Sequence, residues 1–537
     1  MKYAIRLKSI SILLILVTLF GVACASYPED SADTTLSNPS QSPSQPSGEQ
    51  YTPIDTTAHI LETTAIPVDT TALTVTEQPQ VTTYPGESLQ TGCPHLPPSP
   101  YYEQEISVLY WSDRQHEEFI SESISGEMVN DAIYNRNTNL QERIGITQKF
   151  IPCLGNASNA TAWQQYITRD VAAGMGEFDV AAGYSLAMAS TSVLGVFKNL
   201  LDPRFNQLNL EHPWWMIDLT REATINDRLF FVSGDISLNA TYMMYACYVN
   251  QDMLGTPGLE NVSALVAGGE WTYDKMIQMS NGVYSDLNNN KTKDLGDRFG
   301  YMTSGIHTDP WFYGSGATIL ENKNGTLEVS ASFNGDAAAM SLDKAASLLW
   351  RSNDGLYTTS TSHQVAEFAA GRLLFMTDYI DATLDLEGSN VKYCVVPFPK
   401  YDINQADYVT VMGNPFTLFS VSQCNEDTDL PMLSAYLEVL ASESYSQLTP
   451  AAYERAFKSK YDADSEQKQM FSVIRDSIQI DAGRLFSSEL FGQGIWRTAM
   501  ANSEGTADTW FKSCLQYEKA FKKSLDTFIG KYNTTFS

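Results

Sequence analysis

The chain has 537 residues, 18% of them charged, and its 63 acidic residues against 34 lysines and arginines give a formal net charge of −29 at pH 7. This acidic balance argues against binding to nucleic acids or anionic membrane surfaces, both of which need basic patches. The sequence contains no G-x-S-x-G motif, no H-E-x-x-H motif and no glycine-rich phosphate loop, and its six histidines are isolated. No cofactor-dependent or nucleophilic enzyme is indicated.

The first 23 residues have the pattern of an export signal. Lys2, Arg6 and Lys8 precede an apolar run at 10–20, which small residues then end. The run is too short to span a bilayer, so residues 1–23 are predicted to be a signal peptide rather than a transmembrane helix.

Cys24 directly follows this segment and resembles the modified cysteine of a bacterial lipobox, although Gly21 stands where such boxes usually carry leucine. The resemblance implies lipidation of Cys24 and anchoring on the extracellular face of the bacterial cytoplasmic membrane. The alternative is an ordinary secretory signal that contains a cysteine. Residues 24–103, rich in Thr, Ser and Pro, hold too little apolar surface to fold and are predicted to form a disordered tether.

The segment 104–537 has the composition of a globular protein and is too long for one hydrophobic core, so two lobes are expected. Strands and helices alternate along its first part, which predicts an α/β fold with parallel sheets covered by helices. The predicted strands are 106–111, 147–151 and 178–182, and the predicted helices are 130–144 and 163–173. Cys247 and Cys394 lie in apolar, strand-like runs and are expected to be small buried hydrophobic residues, and the spacing of the cysteines does not decide whether any of them pair.

Six segments, in order, resemble the extracellular solute-binding proteins that deliver sugars to bacterial ABC importers. They are FDVAAGYSLAMASTSVLGVFKNLLD, HPWWMIDLTREATINDRLFFVSGDISLNATYMMYACYVNQDML, GGEWTYDKMIQM, AEFAAGRLLFMTDY, VVPFPKYDINQADYVTV and SYSQLTPAAYERAFKSKYDADSEQKQMFSVIRDS. The resemblance that these segments mark, in order, extends over nearly all of 104–537. The resemblance therefore bears on the fold and class of the protein and says little about its ligand.

The resemblance implies a two-lobed periplasmic-binding-protein-like fold of type II, with crossing strands between the lobes and the ligand in the interlobe cleft. Lobe 1 is expected at about 104–240 plus 396–445, and lobe 2 at about 246–392 plus the C-terminal helices 450–537. The hinge is expected near 239–245 and 393–397, with a third passage near 444–450.

The implied function is capture of a sugar or oligosaccharide by a monomer and its delivery to ABC permease subunits, without catalysis. A ligand-sensing surface lipoprotein that partners a signalling receptor is one alternative. Because carboxylates are abundant, a glycoside hydrolase with paired acids is the other.

Candidate ligand-binding residues follow from the chemistry of sugars and the predicted strand ends. Aromatic rings cover the apolar face of a sugar, and polar side chains bind its hydroxyls. Trp111 and Trp311 are expected to face each other across the cleft, one from each lobe. The full set of candidates is Trp111, Ser112, Asp113, Tyr184, Ser185, Asp235, Asn239, Trp311, Asp378, Tyr379 and Trp496. The alternative for each aromatic residue is an ordinary core position, and for each polar residue a turn or helix cap.

A calcium-like loop lies at 286–297. Oxygen-bearing side chains recur there in a spacing that resembles an EF-hand loop. They are Asp286, Asn288, Asn290, Thr292, Asp294 and Asp297. Lys291 replaces the usual turn glycine, and an aspartate replaces the final glutamate. The loop is either a structural calcium site or a cation-free, asparagine-rich turn, and no other cofactor is expected.

Overall fold

The computed structural model describes residues 92–255, 259–458, 465–501 and 505–536. The predicted signal peptide, Cys24 and most of the predicted tether lie outside these residues. Within the described ranges, no helix is both long and apolar enough to cross a membrane.

The described chain alternates short strands with helices. The strands are β1 (Glu105–Trp111), β2 (Thr147–Cys153), β3 (Val180–Tyr184), β4 (Tyr245–Asn250), β5 (Phe299–Ser304), β6 (Leu320–Lys323), β7 (Thr326–Val329), β8 (Gly355–Thr358), β9 (Leu373–Tyr379), β10 (Tyr393–Val396), β11 (Thr410–Val411), β12 (Thr417–Val421) and β13 (Ile478–Gln479). The helices are α1 (Met128–Ile144), α2 (Ala160–Ala173), α3 (Ser185–Ser192), α4 (Ile217–Ala223), α5 (Leu238–Tyr242), α6 (Gln251–Leu254), α7 (Val262–Ala267), α8 (Tyr273–Ser280), α9 (Asp309–Tyr313), α10 (Asp336–Leu349), α11 (Thr361–Ala369), α12 (Ala382–Asp385), α13 (Leu430–Glu443), α14 (Thr449–Lys458), α15 (Ser465–Asp476), α16 (Ala482–Leu485), α17 (Gly492–Ala501) and α18 (Ala507–Thr535). A 3-10 turn lies at Gly305–Thr308 and a π-helical turn at Ser444–Leu448.

The first sheet, which defines lobe 1, has the strand order β12-β3-β1-β2. Strands β1, β2 and β3 are parallel, and β12 joins β3 antiparallel. Every residue of β3 is buried, as expected when helices cover both faces of a parallel sheet. Helix α1 ends where the sequence predicts, because Gly145 adopts the left-handed conformation at φ 80° that glycine reaches without strain.

The second sheet, which defines lobe 2, has the strand order β10-β4-β9-β5-β8. Strands β9, β5 and β8 are parallel to one another. On the other side of β9, β4 pairs with β9 antiparallel, and β10 pairs with β4 antiparallel at the edge of the sheet. Cys247 and Cys394 lie on β4 and β10 and are buried, as predicted, and both are free thiols. Both sheets therefore have a parallel core extended by antiparallel strands that come from distant parts of the chain.

Three short chain segments pair with one another between the two sheets. Met244 forms an isolated bridge with Met412. Strand β11 pairs with β13 in parallel, with Thr410 opposite Ile478. The first crossing lies within 239–245, where a hinge is expected, whereas the other two lie outside the predicted passages. Residues 393–396 form β10 inside the second sheet, and the further crossings lie at 410–413 and 478–480.

The lobe boundaries shift accordingly. Phe398, placed in lobe 1 by the sequence, packs against Tyr273 and Trp311 in lobe 2. Helix α14, expected on lobe 2, packs against α1 of lobe 1, whereas α15 packs against β10. The long helix α18 lies along α10 of lobe 2, but its last turns contact lobe 1. There, the Tyr532 hydroxyl donates to the Ile225 carbonyl at 3.0 Å.

The packed region also begins earlier than the predicted boundary at residue 104. The backbone N–H of Gly92 donates to the Ser442 hydroxyl at 2.9 Å. The Arg143 guanidinium donates to the carbonyl of Cys93 at 2.5 Å, and the Cys93 side chain is buried. Residues from 92 onward are therefore anchored to α1 and α13 by polar contacts that composition alone does not reveal.

Candidate functional site

The ends of several strands meet between the lobes and define the candidate site. In lobe 1, β3 ends at Tyr184, and the following Ser185 donates from its hydroxyl to the Asn414 carbonyl at 2.6 Å. In lobe 2, β9 ends at Tyr379, whose ring lies against Gly413 of the second crossing. A Cβ atom at Gly413 would lie 2.4 Å from that ring, so only glycine allows this approach. Ligands of open parallel sheets bind at such strand ends.

The two lobes touch along this edge. The Gln115 amide donates to the Asp381 carboxylate at 3.4 Å, and His116 Nε2 lies 3.3 Å from the same oxygen. A cavity of about 20 Å³ lies between Ser185, Asn414 and Arg484. This space has room for about one water molecule but is far too small for a sugar ring. The structure therefore shows the lobes closed on each other, and a sugar would require them to separate.

A buried charge cluster lies beside this cavity. Asp309, the first residue of α9, accepts from Arg484 at 2.5 Å and from Arg497 at 2.5 and 2.9 Å. The Gln493 amide donates to the same carboxylate at 2.7 Å. Arg484 also donates from Nε to the Met412 carbonyl at 3.0 Å and so ties the cluster to the second crossing. The carboxylate of Asp309 thus joins α9 to the segment 484–497, and Arg484 links both to the second crossing.

Burial and the two guanidinium groups act in opposite directions on Asp309. Burial alone raises the pKa of this carboxyl, but Arg497 and Arg484 outweigh it and hold the pKa below its ordinary value. Nearby His307 is fully buried, and burial lowers its pKa to about 3. At neutral pH the site therefore holds a charged aspartate between two arginines, and an uncharged imidazole.

The three candidate tryptophans are packed inside the protein. Trp111 donates its indole N–H to the Thr417 hydroxyl at 2.8 Å, and its ring lies 5.6 Å from that of Tyr184. Trp311 donates to the Tyr301 hydroxyl at 3.0 Å, and Trp496 to the Thr308 carbonyl at 3.2 Å.

All three tryptophan rings are at most 1% exposed. The expectation that Trp111 and Trp311 face each other across the cleft is therefore wrong for this structure. The reason is that each indole finds its acceptor and its ring contacts within its own lobe.

Some of the polar candidates make hydrogen bonds or ion pairs inside the protein, and the others lie at the strand ends beside the cleft. Asp113 accepts from the backbone N–H groups of Gly155 and Asn156, a turn role rather than an exposed one. Asn239 exchanges two hydrogen bonds with the backbone of His116. Asp235 pairs with Arg475 at 2.6 Å, and Asp378 accepts from the Gln364 amide at 2.8 Å. Ser112, Tyr184, Ser185 and Tyr379 lie at the strand ends as predicted, and their contact with a ligand stays a prediction.

The sequence analysis missed Asp309, Arg484, Gln493 and Arg497. Two of them lie close to named candidates: Asp309 is two residues before Trp311, and Arg497 directly follows Trp496. A charged residue within two positions of each tryptophan was the only local sign of the ion-pair cluster. Arg484 carries no such local sign, and only the fold brings it to Asp309.

The loop at 286–297 forms a compact network of internal hydrogen bonds. The Asn288 and Asn290 amides donate to the Asp294 carboxylate at 3.1 and 2.7 Å. Asp297 accepts from the Leu287 N–H at 3.1 Å and from the Tyr284 hydroxyl at 3.2 Å. Among the residues that the structure describes, no group of three or more His, Cys, Asp or Glu side chains is arranged to hold a metal ion. Calcium binding by this loop stays a prediction.

The architecture, two α/β lobes linked by three crossings with strand ends facing each other, is that of two-lobed solute-binding proteins, as the sequence predicted. No family model matches the chain, and no curated protein matches it. Among solved structures, the chain resembles the GacH receptor of Streptomyces glaucescens, determined unliganded and with acarbose. The TM-score is 0.51 at 14% identity, over 79% of this chain and 99% of the receptor.

Two further structures have lower TM-scores. One is a cyclo/maltodextrin-binding protein complexed with maltotetraose, with a TM-score of 0.48 at 13% identity over 81% of this chain and 97% of that one. The other is an ABC substrate-binding protein from Listeria monocytogenes in complex with cycloalternan, with a TM-score of 0.48 at 11% identity over 79% and 98%. The likeness to the Streptomyces receptor shows the shared fold.

Proposed function

We propose that this protein captures a sugar or oligosaccharide between its two lobes and delivers it to an ABC importer, without altering it chemically. The observation that carries the proposal is the pair of α/β lobes whose strand ends meet beside three crossing segments. The Streptomyces receptor, which shares this fold, has been determined in complex with acarbose, a sugar-like ligand. The strand ends supply hydroxyls and aromatic rings, the groups that recognise sugars.

Binding requires the lobes to separate and then close on the ligand. The crossings at 410–413 and 478–480 are short, extended segments, and a hinge needs only a few such residues to absorb changes in φ and ψ. A ligand held by both Ser185 of lobe 1 and Tyr379 of lobe 2 makes its full set of contacts only in the closed form. Its affinity therefore differs between the two forms, which is what shifts the population toward closure.

A panel of mono- and oligosaccharides is expected to raise the melting temperature of the full chain. A ligand that binds only the folded state adds about 2.7 kcal/mol of stability at a hundredfold excess over its Kd. Differential scanning fluorimetry measures the shift, and analysis of the recovered sugar by chromatography checks that it is unchanged. If peptides shift the melt while no sugar does, the sugar assignment is wrong; hydrolysis of the sugar would instead favour a glycosidase.

Anchoring of the protein outside the cell through Cys24 belongs to the same proposal. Lipidation of a single cysteine, followed by a Thr/Ser/Pro-rich tether, would hold the binding domain close to its permease. Cys24→Ala is expected to release the protein into the medium or leave it unprocessed. Cell fractionation checks this, and a processed variant that stays on the membrane would contradict lipidation.

Structural calcium in the loop at 286–297 is the remaining proposal. Carboxylate and amide oxygens at alternate positions are the ligands that calcium prefers. Millimolar calcium is expected to raise the melting temperature of the wild type and to leave that of Asp294→Ala unchanged. An equal shift in both proteins, or in neither, would favour the cation-free turn.

A further inference from the structure

A groove lies on the surface of lobe 2, between strand β7 and the long helix α18, and has a volume of about 470 Å³. Leu327 on β7 and Phe521 on α18 are buried and form its floor. At its sides, Val329 is 41% exposed and Leu515 is 72% exposed. Because these two apolar side chains line the same groove, they differ from the single apolar residues that are scattered over any protein surface. We call this feature the β7 groove.

The strand that borders the groove has an open edge. Strands β6 and β7 form a two-stranded antiparallel sheet, which no third strand joins within the described ranges. The outer edge of β6 is covered, because helix α16 packs against it and the Leu320 N–H donates to the Asp481 carboxylate at 3.2 Å. The outer edge of β7 borders the groove instead. An open strand edge presents N–H and C=O groups with which another chain can pair.

The register of this hairpin shows which groups of β7 point to the open edge. The Ser330 N–H donates to the Ile319 carbonyl at 3.0 Å, so these two residues form a hydrogen-bonded pair. Hydrogen-bonded and non-hydrogen-bonded pairs alternate along an antiparallel ladder, which places Val329 and Leu327 at non-hydrogen-bonded positions. Their backbone N–H and C=O groups therefore point away from β6. Neither N–H has a backbone acceptor in the part of the chain that the structure describes.

The walls of the groove carry an excess of negative charge. Glu328, Glu518 and Asp526 line it, together with the single cation Lys522. Glu328 is paired with Lys323 at 2.9 Å, which leaves Glu518 and Asp526 on either side of one lysine along α18. A second copy of this chain, whose formal charge is −29, would bring like charges together here. Basic residues of a different protein are complementary to these walls.

We propose that the β7 groove is a docking site for another protein, which adds an extended segment of alternating apolar and basic residues to β7 as a third strand. The added strand supplies hydrogen-bond partners for the outward N–H and C=O groups of Leu327 and Val329. Because side chains alternate between the two faces of a strand, its apolar residues enter the groove together while its basic residues stay in solvent. No residue of the groove lines the interlobe cavity, so docking here does not depend on what the cleft binds.

The probe is a fluorescein-labelled peptide of sequence KVKVKVK, which is titrated with the full chain and followed by fluorescence anisotropy. The peptide EVEVEVE keeps the alternation and reverses the charge. The peptide KVKPKVK keeps every lysine, but its central proline lacks the N–H that a ladder needs. KVKVKVK is expected to bind saturably, and the other two peptides are expected to bind more weakly by about tenfold or more.

Two substitutions test whether the peptide binds in the groove. Val329→Pro removes an N–H that points to the open edge, at a position where the pairing with β6 loses no hydrogen bond. Leu515→Gln removes the exposed apolar side chain on the opposite side. Ile403→Gln is its matched control, because Ile403 is 61% exposed and lines none of the described cavities. Val329→Pro and Leu515→Gln should each weaken binding of KVKVKVK by about tenfold or more, and Ile403→Gln should leave it unchanged.

Equal binding of KVKVKVK and KVKPKVK would overturn the docking site, because charge attraction without strand pairing would then explain the affinity. Binding that persists in Leu515→Gln, or no binding of KVKVKVK up to about 1 mM, would overturn it as well. Circular dichroism checks the fold of each variant, and Leu515→Gln decides alone if Val329→Pro disturbs the hairpin. Sedimentation of the full chain is expected to show a monomer, whereas a dimer that Leu515→Gln abolishes would assign the groove to a second copy instead.

Discussion

Trp311→Ala is expected to lower the free energy of unfolding by about 3–5 kcal/mol, the range for removing a large buried aromatic side chain. The Trp311 ring is fully buried and lies 4.7 Å from the Tyr273 ring and 5.5 Å from that of Phe398. Its indole N–H also satisfies the Tyr301 hydroxyl, which would lose a partner inside the core. Urea denaturation followed by circular dichroism measures the loss.

Trp350→Ala is the matched control for this substitution. Trp350 is also a tryptophan of lobe 2, but it is only partly buried, and its ring contact is with Tyr357 at 5.0 Å. Trp350→Ala is therefore expected to lower the free energy of unfolding clearly less than Trp311→Ala does. If Trp311→Ala instead changes the unfolding free energy by under about 1 kcal/mol while weakening sugar binding, Trp311 is a ligand-contacting residue and its assignment to the core is wrong.

Asp309→Asn is expected to cost about 3–5 kcal/mol of stability, the range for breaking a buried ion pair by removing one partner. The substitution keeps the shape of the side chain but leaves Arg484 and Arg497 without their carboxylate. Arg484→Met added to Asp309→Asn should recover part of the loss, because it removes one of the two uncompensated charges. Chemical denaturation of the single and double variants measures this coupling.

The effect of Asp309 should also depend on pH. Its folded-state pKa is depressed, so its stabilising contribution is present above the unfolded pKa of about 3.9 and is lost as the pH falls through the lower folded value. The difference between wild type and Asp309→Asn should therefore be full at pH 7 and shrink below pH 4.

Asp427→Ala is the control for surface charge. Asp427 pairs with Lys198 at 3.2 Å, but its side chain is 58% exposed and the pair is screened by water, so its removal is expected to cost far less stability than Asp309→Asn. Equal losses for Asp309→Asn and Asp427→Ala would contradict the stabilising role of the buried cluster.

Trp311→Ala and Asp309→Asn both concern residues whose role the sequence did not predict. The sequence around Trp311 and Trp496 predicts aromatic residues near the cleft. It does not show whether each ring faces the cleft or packs into the core behind it. That is decided by which acceptors lie within reach of the indole N–H. Tyr301 provides one for Trp311, and the Thr308 carbonyl provides one for Trp496.

The sequence by itself determined the local elements. Apolar strands such as β1 and β3, the helix that ends at Gly145 and the buried runs around Cys247 and Cys394 all follow from periodicity and from glycine, which act over a few residues. The order of the resembling segments was enough to predict the two-lobed fold.

Only the tertiary structure decided how distant segments combine. The two-residue strands β11 and β13 have too few residues for any periodic signal and exist because they pair with each other. Likewise, Asp309 meets Arg484 and Arg497 across 175 and 188 residues of chain. Local patterning indicates where strands and helices form, but the burial of a given aromatic ring and the partner of a buried charge or a short strand depend on the packing of the whole chain.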